Sequence, residues 1–254
     1  IGLTPIETAS MVETLAKAGI DFIKDDELLG SAANSIFNDR VDAVMRVIND
    51  HAATTGKKIM YAFNISGDID DMQARYEKIC RAGGNAAMIS INSVGIAATK
   101  KIVAQKELVV HGHRNGWGML NRHPLLGIEF AAYQQLWRLI GIDQIHVNGI
   151  QNKFWETDDS VVASIKACLT PFFNHQKPLP VVSSGQWGGQ APETYRRTNT
   201  TDLLYMAGGG ILAHPMGATA GVIALQQSWQ AAVDGLTLEQ AAKLYPEFAK
   251  SVEK

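Results

Sequence analysis

A lysine and three acids follow one short apolar run near the start of the sequence. Residues 20–23 predict a buried strand, and Lys24, Asp25, Asp26 and Glu27 come directly after it. Because side chains alternate along a strand, we expect Lys24 and Asp26 on one face, with Glu27 at the following turn, where it can swing toward them. Carboxylate oxygens that converge in this way suit a hard divalent cation such as Mg2+.

The lysine is the unusual member of this group. An ammonium would repel a metal ion, so Lys24 fits only as a neutral or anionic group. A lysine whose pKa is lowered by burial is nucleophilic and can capture CO2 as a carbamate, which supplies an oxygen ligand. The alternative is a solvated charge cluster at a strand end, and the rest of the chain has to decide between the two.

Strand-like and helix-like segments alternate along the chain, beginning with a helix that Thr4 and Pro5 open. This alternation predicts a parallel sheet covered by helices. Seven predicted strands follow a first helix. They predict an α/β fold of the (β/α)8 TIM-barrel type, as a single domain over residues 1–254. Because such a barrel has eight strands, we expect its first strand upstream of residue 1. An open doubly wound sheet is the alternative. The strands are predicted at residues 20–23, 58–65, 85–91, 107–113, 142–147, 179–184 and 203–207.

Polar side chains collect where these predicted strands end. In a barrel the carboxyl ends of the strands converge on one face, where active sites are built. Core packing alone would not place charged, imidazole and hydroxyl groups at successive strand ends, although a solvated rim without catalytic function is the alternative. The residues are Lys24, Asp26, Glu27, Asn64, Ser90, His113, Arg114, His146, Ser184, Gly208 and Gly209.

Two histidines and an arginine are the next candidates for chemistry. Imidazoles titrate near neutrality, so His113 and His146 could act as acid–base groups toward one substrate. Arg114 suits bidentate binding of a phosphate or a carboxylate. His111 shares a face with His113 and could be a buried, hydrogen-bonded histidine. A strand-end histidine is more often structural than catalytic, but two beside an arginine shift the balance toward a site.

Glycines and a loop lysine complete the candidate set. Ser-Ser-Gly at 183–185 and Gly-Gly-Gly at 208–210 end the last two strands, and the corresponding barrel loops often bind phosphate through backbone N–H groups. A triple glycine by itself usually marks only a turn. Lys153 lies in a loop long enough to fold over the substrate and exclude water. The alternative for Lys153 is an exposed loop lysine.

The composition is that of an ordinary soluble globular protein. The 254 residues are 46% hydrophobic and 19% charged, with a formal net charge of −2, which offers no electrostatic footprint for nucleic acid or an anionic membrane. No apolar run approaches the roughly 18 residues that span a bilayer. Cys80 and Cys168 imply no disulfide framework. We therefore expect a cytoplasmic protein with a small-molecule substrate.

The motifs together resemble the catalytic barrel of the RuBisCO large-chain superfamily. Their order and spacing cover nearly the whole chain, so chance agreement is a poor explanation. They are Gly-Ile-Asp-Phe-Ile-Lys-Asp-Asp-Glu at 19–27, His-Gly-His-Arg at 111–114, Ile-His at 145–146 with Lys153 seven residues on, Ser-Ser-Gly at 183–185, and Gly-Gly-Gly with Ala-His-Pro at 208–215.

The resemblance implies a role for each candidate residue. Lys24 would carry the CO2-derived carbamate and, with Asp26 and Glu27, would bind Mg2+. Lys24, His113 and Lys153 would be catalytic, with Lys153 on a flexible loop. The remaining residues would bind the substrate: Arg114 on a phosphate, His146, and Ser184, Gly185, Gly208 and Gly209 on hydroxyl or phosphate groups.

Three departures separate this chain from the carboxylases of the family. Where they have Ser-Gly-Thr after the histidine that matches His146, this chain has Val-Asn-Gly at 147–149. Where they have Ser-Gly-Gly, it has Ser-Gly-Gln at 184–186. Where they have a histidine three residues after the matched arginine, it has Trp117. The sequence therefore resembles a RuBisCO-like protein rather than a CO2-fixing enzyme.

Within that group the chain resembles members that act on 3-oxo-isoapionate 4-phosphate. The motifs are His-Arg-Asn-Gly-Trp-Gly at 113–118, Asn-Lys-Phe at 152–154 and Ser-Ser-Gly-Gln-Trp at 183–187. The resemblance implies a Mg2+-dependent enzyme that stabilises an enediolate and cleaves a carbon–carbon bond to give phosphoglycerate and glycolate. The alternatives are a diketone phosphate enolase or a related isomerase of sulfur salvage, and a phosphosugar-binding relic without catalysis.

The resemblance also carries expectations about the rest of the molecule. Family members have an N-terminal α+β domain whose residues complete the active site of a partner subunit, and that domain is not part of this sequence. We therefore expect a homodimer or a larger assembly. We also expect the barrel alone to be inactive.

Overall fold

The computed structural model describes residues 2–173 and 177–253, and it contains alternating strands and helices throughout. The strands are β1 (Phe22–Lys24), β2 (Met60–Asn64), β3 (Ala86–Ser90), β4 (Val109–His113), β5 (Gln144–His146), β6 (Leu179–Val182) and β7 (Leu204–Tyr205). The helices are α1 (Pro5–Lys17), α2 (Phe37–Thr55), α3 (Ile69–Arg81), α4 (Ile91–Val103), α5 (Gly118–Asn121), α6 (Phe130–Ile140), α7 (Asp158–Leu169), α8 (Ala191–Thr198), α9 (Gly208–Leu212), α10 (Ala218–Val233), α11 (Leu238–Leu244) and α12 (Pro246–Val252), with a 3-10 turn at Gly188–Gln190.

The seven strands form one sheet in the order β1-β2-β3-β4-β5-β6-β7. The described pairings are parallel, as in β1 with β2 and β3 with β4. This order is the one that successive right-handed β–α–β units produce. The parallel sheet covered by helices that the sequence predicts is confirmed.

The register of the first four strands places the candidate polar residues on one face of the sheet. Lys24 is paired with Ala62, two residues before Asn64. Asn64 is paired with Met88, two residues before Ser90, and Ser90 is paired with His113. Paired residues of parallel strands face the same side, and so do residues two apart on one strand. Lys24, Asn64, Ser90 and His113 therefore share a face.

The chain contacts divide into two compact units, and each has its own buried residues. The first unit holds most of residues 2–145, and its helix α2 buries Val41, Val44 and Ile48, whose spacing is that of one helix face. The second unit holds most of residues 146–253, and one of its buried clusters joins Ala231, Ala241 and Phe248.

Two local predictions were wrong. The sequence predicts a single helix over residues 237–250, but these residues form α11 and α12, which meet at Tyr245 and Pro246. Proline lacks an N–H donor and pushes the preceding residue into extended backbone, as Tyr245 shows with φ −121° and ψ 104°. The triple glycine at 208–210 was expected to be a loop, but it opens the short helix α9. Among the described helices, none is long and apolar enough to cross a membrane.

Candidate active site

Lys24 and Glu27 meet at the end of β1, as the sequence predicted. The Lys24 ammonium donates to the backbone carbonyl of Asp25 at 2.9 Å and lies 3.4 Å from Oε2 of Glu27. The side chain of Lys24 is 12% exposed and that of Glu27 is 33% exposed. The amine is therefore mostly withdrawn from water but still within reach of a small reactant such as CO2.

Asp25, between these residues, turns away from the site into the core. Its carboxylate accepts hydrogen bonds from the Arg40 guanidinium at 3.2 Å, the Tyr61 hydroxyl at 2.7 Å and the backbone N–H of Asn64 at 2.9 Å. A buried carboxylate needs such partners because leaving it uncompensated costs several kcal/mol. Asp25 thus fastens the end of β1 to β2 and α2 and is not available as a ligand.

The loop after β1 is shaped by Asn64 and Asp26. The side-chain amide of Asn64 donates to the backbone carbonyls of Asp26 and Glu27, at 3.3 and 3.1 Å. Oδ1 of Asp26 accepts a hydrogen bond from the backbone N–H of Leu28 at 2.8 Å, which closes a tight turn. Asn64 therefore holds in place the backbone that carries both predicted carboxylate ligands.

His113 lies on the other side of Glu27, with its Nε2 at 3.5 Å from Oε2 of that carboxylate. Its Nδ1 accepts a hydrogen bond from the backbone N–H of Asn115 at 3.2 Å, so the ring proton sits on Nε2 and points toward Glu27. Burial and the Lys24 ammonium lower the pKa of His113 to about 4, against the opposing effect of Glu27. His113 is therefore neutral at neutral pH.

The pKa of Glu27 is lower than that of an ordinary glutamate. Burial acts to raise it, but His113, a backbone N–H and the Lys24 ammonium together outweigh the burial. Glu27 is therefore ionised at neutral pH. An ionised carboxylate between a lysine and a neutral imidazole provides negative charge for binding a cation.

His111 has a structural role, as expected from its position. It is fully buried, its Nδ1 is 2.8 Å from Oε1 of Gln144, and its ring stacks on Phe22 with 5.3 Å between the centroids. Burial lowers the pKa of His111 to about 3, so the ring is neutral at ordinary pH. It lies on the same face of β4 as His113, two residues earlier in the strand.

Arg114 is buried against an aromatic cluster. Its guanidinium carbon lies 4.5 Å from the centroid of the Phe130 ring, a cation–π contact. Trp117 packs on Phe130 and on Tyr133, with centroid distances of 5.2 and 4.3 Å. Trp117 is thus part of the packing around Arg114. Phosphate binding by Arg114 stays a prediction.

In the second unit, His146 begins a chain of polar side chains. Its Nδ1 lies 3.0 Å from Oγ of Ser183, which lies 3.5 Å from Oγ of Ser184. Ser184 donates to Oδ1 of Asn148 at 2.6 Å, and the amide of Asn148 donates to Glu156. His146 and Ser184 were predicted from the sequence. Ser183 was noted only as part of a motif, and Asn148 and Glu156 were not selected as site residues.

Side-chain amides hold the loop that carries Lys153 through hydrogen bonds to its backbone carbonyls. The Asn152 side chain donates to the backbone carbonyls of Gly149 and Glu156, at 3.1 and 3.0 Å. The Gln186 side chain donates to the carbonyl of Ile150 at 3.1 Å. The aliphatic part of Lys153 lies against Gly185, where a Cβ would stand 3.6 Å from Cβ of Lys153. Lys153 thus packs on the Ser-Ser-Gly turn at 183–185. Its closing over a substrate stays a prediction.

The glycines predicted for phosphate binding differ in how open they are. A Cβ added at Gly208 or Gly209 would meet no described atom within 4 Å, whereas at Gly210 it would come within 2.9 Å of Cβ of Trp187. Gly185 has φ +84°, which favours glycine. Gly185, Gly209 and Gly210 also line a cavity of about 420 Å³ together with Trp187 and His214. Gly208 and Gly209 therefore leave space for a ligand to approach the backbone.

The residues at the end of β1 fit a magnesium ion in their chemistry. No group of three or more His, Cys, Asp and Glu side chains is arranged as a metal site in the part of the chain that the structure describes. The predicted set is of another kind, two carboxylates and a lysine, and its Glu27 oxygen already faces the Lys24 ammonium. Replacing that ammonium by a carbamate would remove the positive charge and add oxygen donors of the type that Mg2+ prefers.

The whole chain, residues 1–254, matches the sequence profile of the ribulose bisphosphate carboxylase large chain, catalytic domain. The chain belongs to the RuBisCO large-chain family.

Relatives within the RuBisCO family include enzymes of a named activity. The chain is 53% identical to the 3-oxo-isoapionate-4-phosphate decarboxylase of Rhizobium etli, over 100% of this chain and 62% of that protein. It is 50% identical to the 3-oxo-isoapionate-4-phosphate transcarboxylase/hydrolase of Xanthobacter autotrophicus, over 97% of this chain and 60% of that protein. The chain spans about three fifths of the length of these relatives.

Solved structures of RuBisCO relatives share the fold. A RuBisCO-like protein from Burkholderia fungorum superposes with a TM-score of 0.95 at 43% identity, over 100% of this chain and 63% of that one. The octameric ribulose-1,5-bisphosphate carboxylase/oxygenase of Pyrococcus horikoshii superposes with a TM-score of 0.93 at 32% identity, over 100% of this chain and 60% of that one. The barrel is thus common to carboxylases and RuBisCO-like proteins.

Proposed function

We propose that the full-length protein is a Mg2+-dependent, RuBisCO-like enzyme that cleaves a carbon–carbon bond in 3-oxo-isoapionate 4-phosphate and does not fix CO2. The observation that carries this proposal is the meeting of Lys24 and Glu27 at 3.4 Å, with His113 on the same carboxylate. The substrate is inferred from the relatives of 53% and 50% identity that are named for it.

Lys24, as a carbamate, would hold the metal ion together with Asp26 and Glu27. When bound, Mg2+ supplies Lewis acidity toward the substrate's oxygen atoms and stabilises negative charge as it develops. Asn64 keeps the Asp26–Glu27 backbone in place through its two hydrogen bonds. His113 presents an N–H at Nε2, which orients Glu27 and can donate to a substrate oxygen.

The predicted substrate-binding residues would hold the substrate's hydroxyl and phosphate groups. His146 and Ser184 offer an imidazole and a hydroxyl held by a hydrogen-bonded network. Gly208 and Gly209 are unobstructed and open a helix, where backbone N–H groups favour an anion. Lys153, beside Gly185, would contribute positive charge toward a carboxylate. Arg114 is assigned to a phosphate.

Two reactions at the same substrate are candidates. The first is hydrolytic cleavage to phosphoglycerate and glycolate, in which a lysine would take up the carboxyl group as a carbamate and return it to another carbon of the substrate, and one water would then be added across the carbon–carbon bond that breaks; the transcarboxylase/hydrolase relative favours it. The second is decarboxylation, which releases CO2 and leaves a proton on the carbon that carried the carboxyl group; the Rhizobium etli relative favours it. We also propose that the protein is a homodimer or larger, whose partner subunit completes the site.

A product assay separates these candidates. The full-length protein is incubated with 3-oxo-isoapionate 4-phosphate, Mg2+ and bicarbonate, and CO2, glycolate and phosphoglycerate are measured. Glycolate and phosphoglycerate in equal amounts support the first reaction, and CO2 without glycolate supports the second. Absence of all three products, or incorporation of labelled CO2 into ribulose 1,5-bisphosphate products, would overturn the proposal.

A further inference from the structure

Two consecutive backbone carbonyls in the loop of residues 148–156, here called the Lys153 loop, are held by buried glutamines. Nε2 of Gln186 donates to the carbonyl of Ile150 at 3.1 Å, and Nε2 of Gln190 donates to the carbonyl of Gln151 at 3.1 Å. Only 2% of the surface of Gln186 and 6% of that of Gln190 is exposed. Burial shields both hydrogen bonds from competition by water. The start of the loop is therefore fastened to residues 186–190.

Each glutamine amide is itself held in one orientation. A backbone carbonyl can only accept hydrogen bonds, so the NH2 group of each amide must face the loop and its oxygen must face away. The Tyr205 hydroxyl shares its proton between Oε1 of Gln186, at 3.1 Å, and the carbonyl of Trp187, at 3.0 Å. The backbone N–H of Trp187 donates to Oε1 of Gln190 at 3.0 Å. Both amides are thus hydrogen-bonded at both ends.

Gly149 leaves the space that the Gln186 amide occupies. A Cβ at position 149 would stand 2.2 Å from Cδ and 2.4 Å from Nε2 of Gln186. A side chain there would displace the buried amide and break its hydrogen bond to Ile150. Since the φ of Gly149 is not positive, its backbone conformation alone does not require glycine. Gly149 and Gln186 therefore form a matched pair.

The backbone of the Lys153 loop is held at further points. Gln151 has φ +52°, a left-handed conformation that persists in residues other than glycine when their surroundings hold them there. Its N–H donates to Oδ1 of Asp158 at 2.7 Å, while its carbonyl accepts from Gln190. The N–H of Lys153 donates to the carbonyl of Ser184 at 3.2 Å. Both sides of the Gln151 backbone and the N–H of Lys153 are thus bonded to residues outside the loop.

We propose that Gln186 and Gln190 are positioning residues that hold the Lys153 loop against the Ser-Ser-Gly turn at 183–185. The side chain of Lys153, which is exposed, then closes on the substrate without a movement of the loop backbone. The inference rests on the proposed function, in which Lys153 provides positive charge toward a substrate carboxylate, and adds how that charge is placed. A cation on a backbone that is already ordered loses less conformational freedom when the substrate binds.

The test is amide hydrogen exchange in the full-length protein, followed by mass spectrometry of a peptide that covers residues 150–153. In the wild type we expect slow exchange, because the N–H groups of Gln151 and Lys153 are hydrogen-bonded. Gln186→Met fills a similar space without a donor for Ile150, and we expect exchange to become about tenfold faster. The control Gln73→Ala removes an amide hydrogen bond to Glu77 in α3 and should leave the exchange of this peptide unchanged.

Gly149→Ala tests the matched pair from the other side. Its methyl group displaces the Gln186 amide, so we expect exchange of residues 150–153 to rise about tenfold here too. Gln186→Ala leaves room for that methyl group. Adding Gly149→Ala to Gln186→Ala should therefore have little further effect, because the hydrogen bond to Ile150 is already lost. Increases that simply multiply in the double variant would overturn the pairing.

Fast exchange of residues 150–153 in the wild type would overturn the inference, and so would an unchanged rate in Gln186→Met. If Gln186→Met does not fold, Gln190→Met takes its place; it removes the hydrogen bond to Gln151 and should give the same increase. These readouts need no substrate, so they stand or fall independently of the proposed activity. If the activity is established, Gln186→Met should lower kcat/KM by about tenfold, whereas Gln73→Ala should leave it unchanged.

Discussion

The carboxylate of Asp25 lies 3.2 Å from the guanidinium of Arg40, and neither side chain has any exposed surface. Lys24 on one side of Asp25 and Glu27 on the other are partly exposed and face each other. One acid of the Lys-Asp-Asp-Glu motif thus anchors the end of β1, so that its neighbours can be held toward the site. The motif therefore supplies two candidate site residues, Lys24 and Glu27, and the buried Asp25 that anchors the end of β1.

Removing Arg40 should destabilise the fold strongly. The Arg40→Ala variant leaves the Asp25 carboxylate buried without its cation, which we expect to lower the free energy of unfolding by about 3–5 kcal/mol. Urea denaturation of the full-length protein measures it. As a control, Lys57→Ala removes an exposed pair with Asp21 and should cost less than about 1 kcal/mol. Equal effects of the two variants would mean that the buried pair does not anchor β1.

Acid should destabilise the protein through His111. Burial lowers its pKa to about 3 in the folded state, from an ordinary value of 6.5. The unfolded chain therefore binds a proton between these pH values that the folded chain does not, so the stabilisation is complete above pH 6.5 and is lost as the pH falls. Between pH 7 and pH 5 this one group should remove about 2 kcal/mol from the free energy of unfolding.

Urea denaturation at the two pH values checks this effect. The variant His111→Asn can still hydrogen-bond Gln144 but cannot take up the proton, so its stability should fall less between pH 7 and pH 5 than that of the wild type. The exposed His123, changed to Asn, is the matched control and should behave as the wild type does. An unchanged pH dependence in His111→Asn would show that other groups are responsible.

Much of the fold could be predicted from the sequence because its periodic signals are strong. Each of the seven predicted strands overlaps an observed strand, although every observed strand is shorter than predicted, as in β7, which has only Leu204 and Tyr205. Hydrophobic alternation marks the buried part of a strand and does not say where pairing stops. The break between α11 and α12 was missed because the predicted helix ran through Pro246, although proline signals a possible boundary.

The candidate site was only partly predictable, and the reason is physical. The meeting of Lys24 with Glu27 follows from their proximity in the chain. The role of Asp25 does not, because it depends on Arg40, fifteen residues away, and on Tyr61. Glu156 was missed for a similar reason. Its carboxylate accepts a hydrogen bond from the amide of Asn148, and only the folded chain brings these two side chains together.

Asn64 should affect metal binding without contacting the metal. The Asn64→Ala variant loses the two hydrogen bonds to the carbonyls of Asp26 and Glu27. Residues that orient metal ligands typically contribute about 10–100-fold to affinity, and we expect a loss of Mg2+ affinity in that range. Calorimetric titration measures it. Asn49→Ala removes a comparable amide contact, to the carbonyl of Ala82, and should leave the affinity unchanged. Equal affinities in both variants would argue against this role for Asn64.

Gly209 should be important for an anion but not for the fold. A Cβ there meets no described atom within 4 Å, so Gly209→Ala should leave the unfolding free energy nearly unchanged. A methyl group on an open backbone N–H hinders a phosphate, and we expect affinity for the phosphorylated substrate to fall about tenfold or more. Gly30→Ala, equally open, is the control. A wild-type KM in Gly209→Ala would show that the phosphate does not bind at Gly209.

The central claim is that Lys24, with Asp26 and Glu27, binds Mg2+ once its amine has been converted into a carbamate. Calorimetric titration of Mg2+ into the full-length protein, with and without bicarbonate, tests it most directly. The account predicts binding by the wild type that strengthens with bicarbonate, and loss of both the binding and the bicarbonate effect in Lys24→Ala. Binding of Mg2+ by Lys24→Ala with wild-type affinity would contradict it.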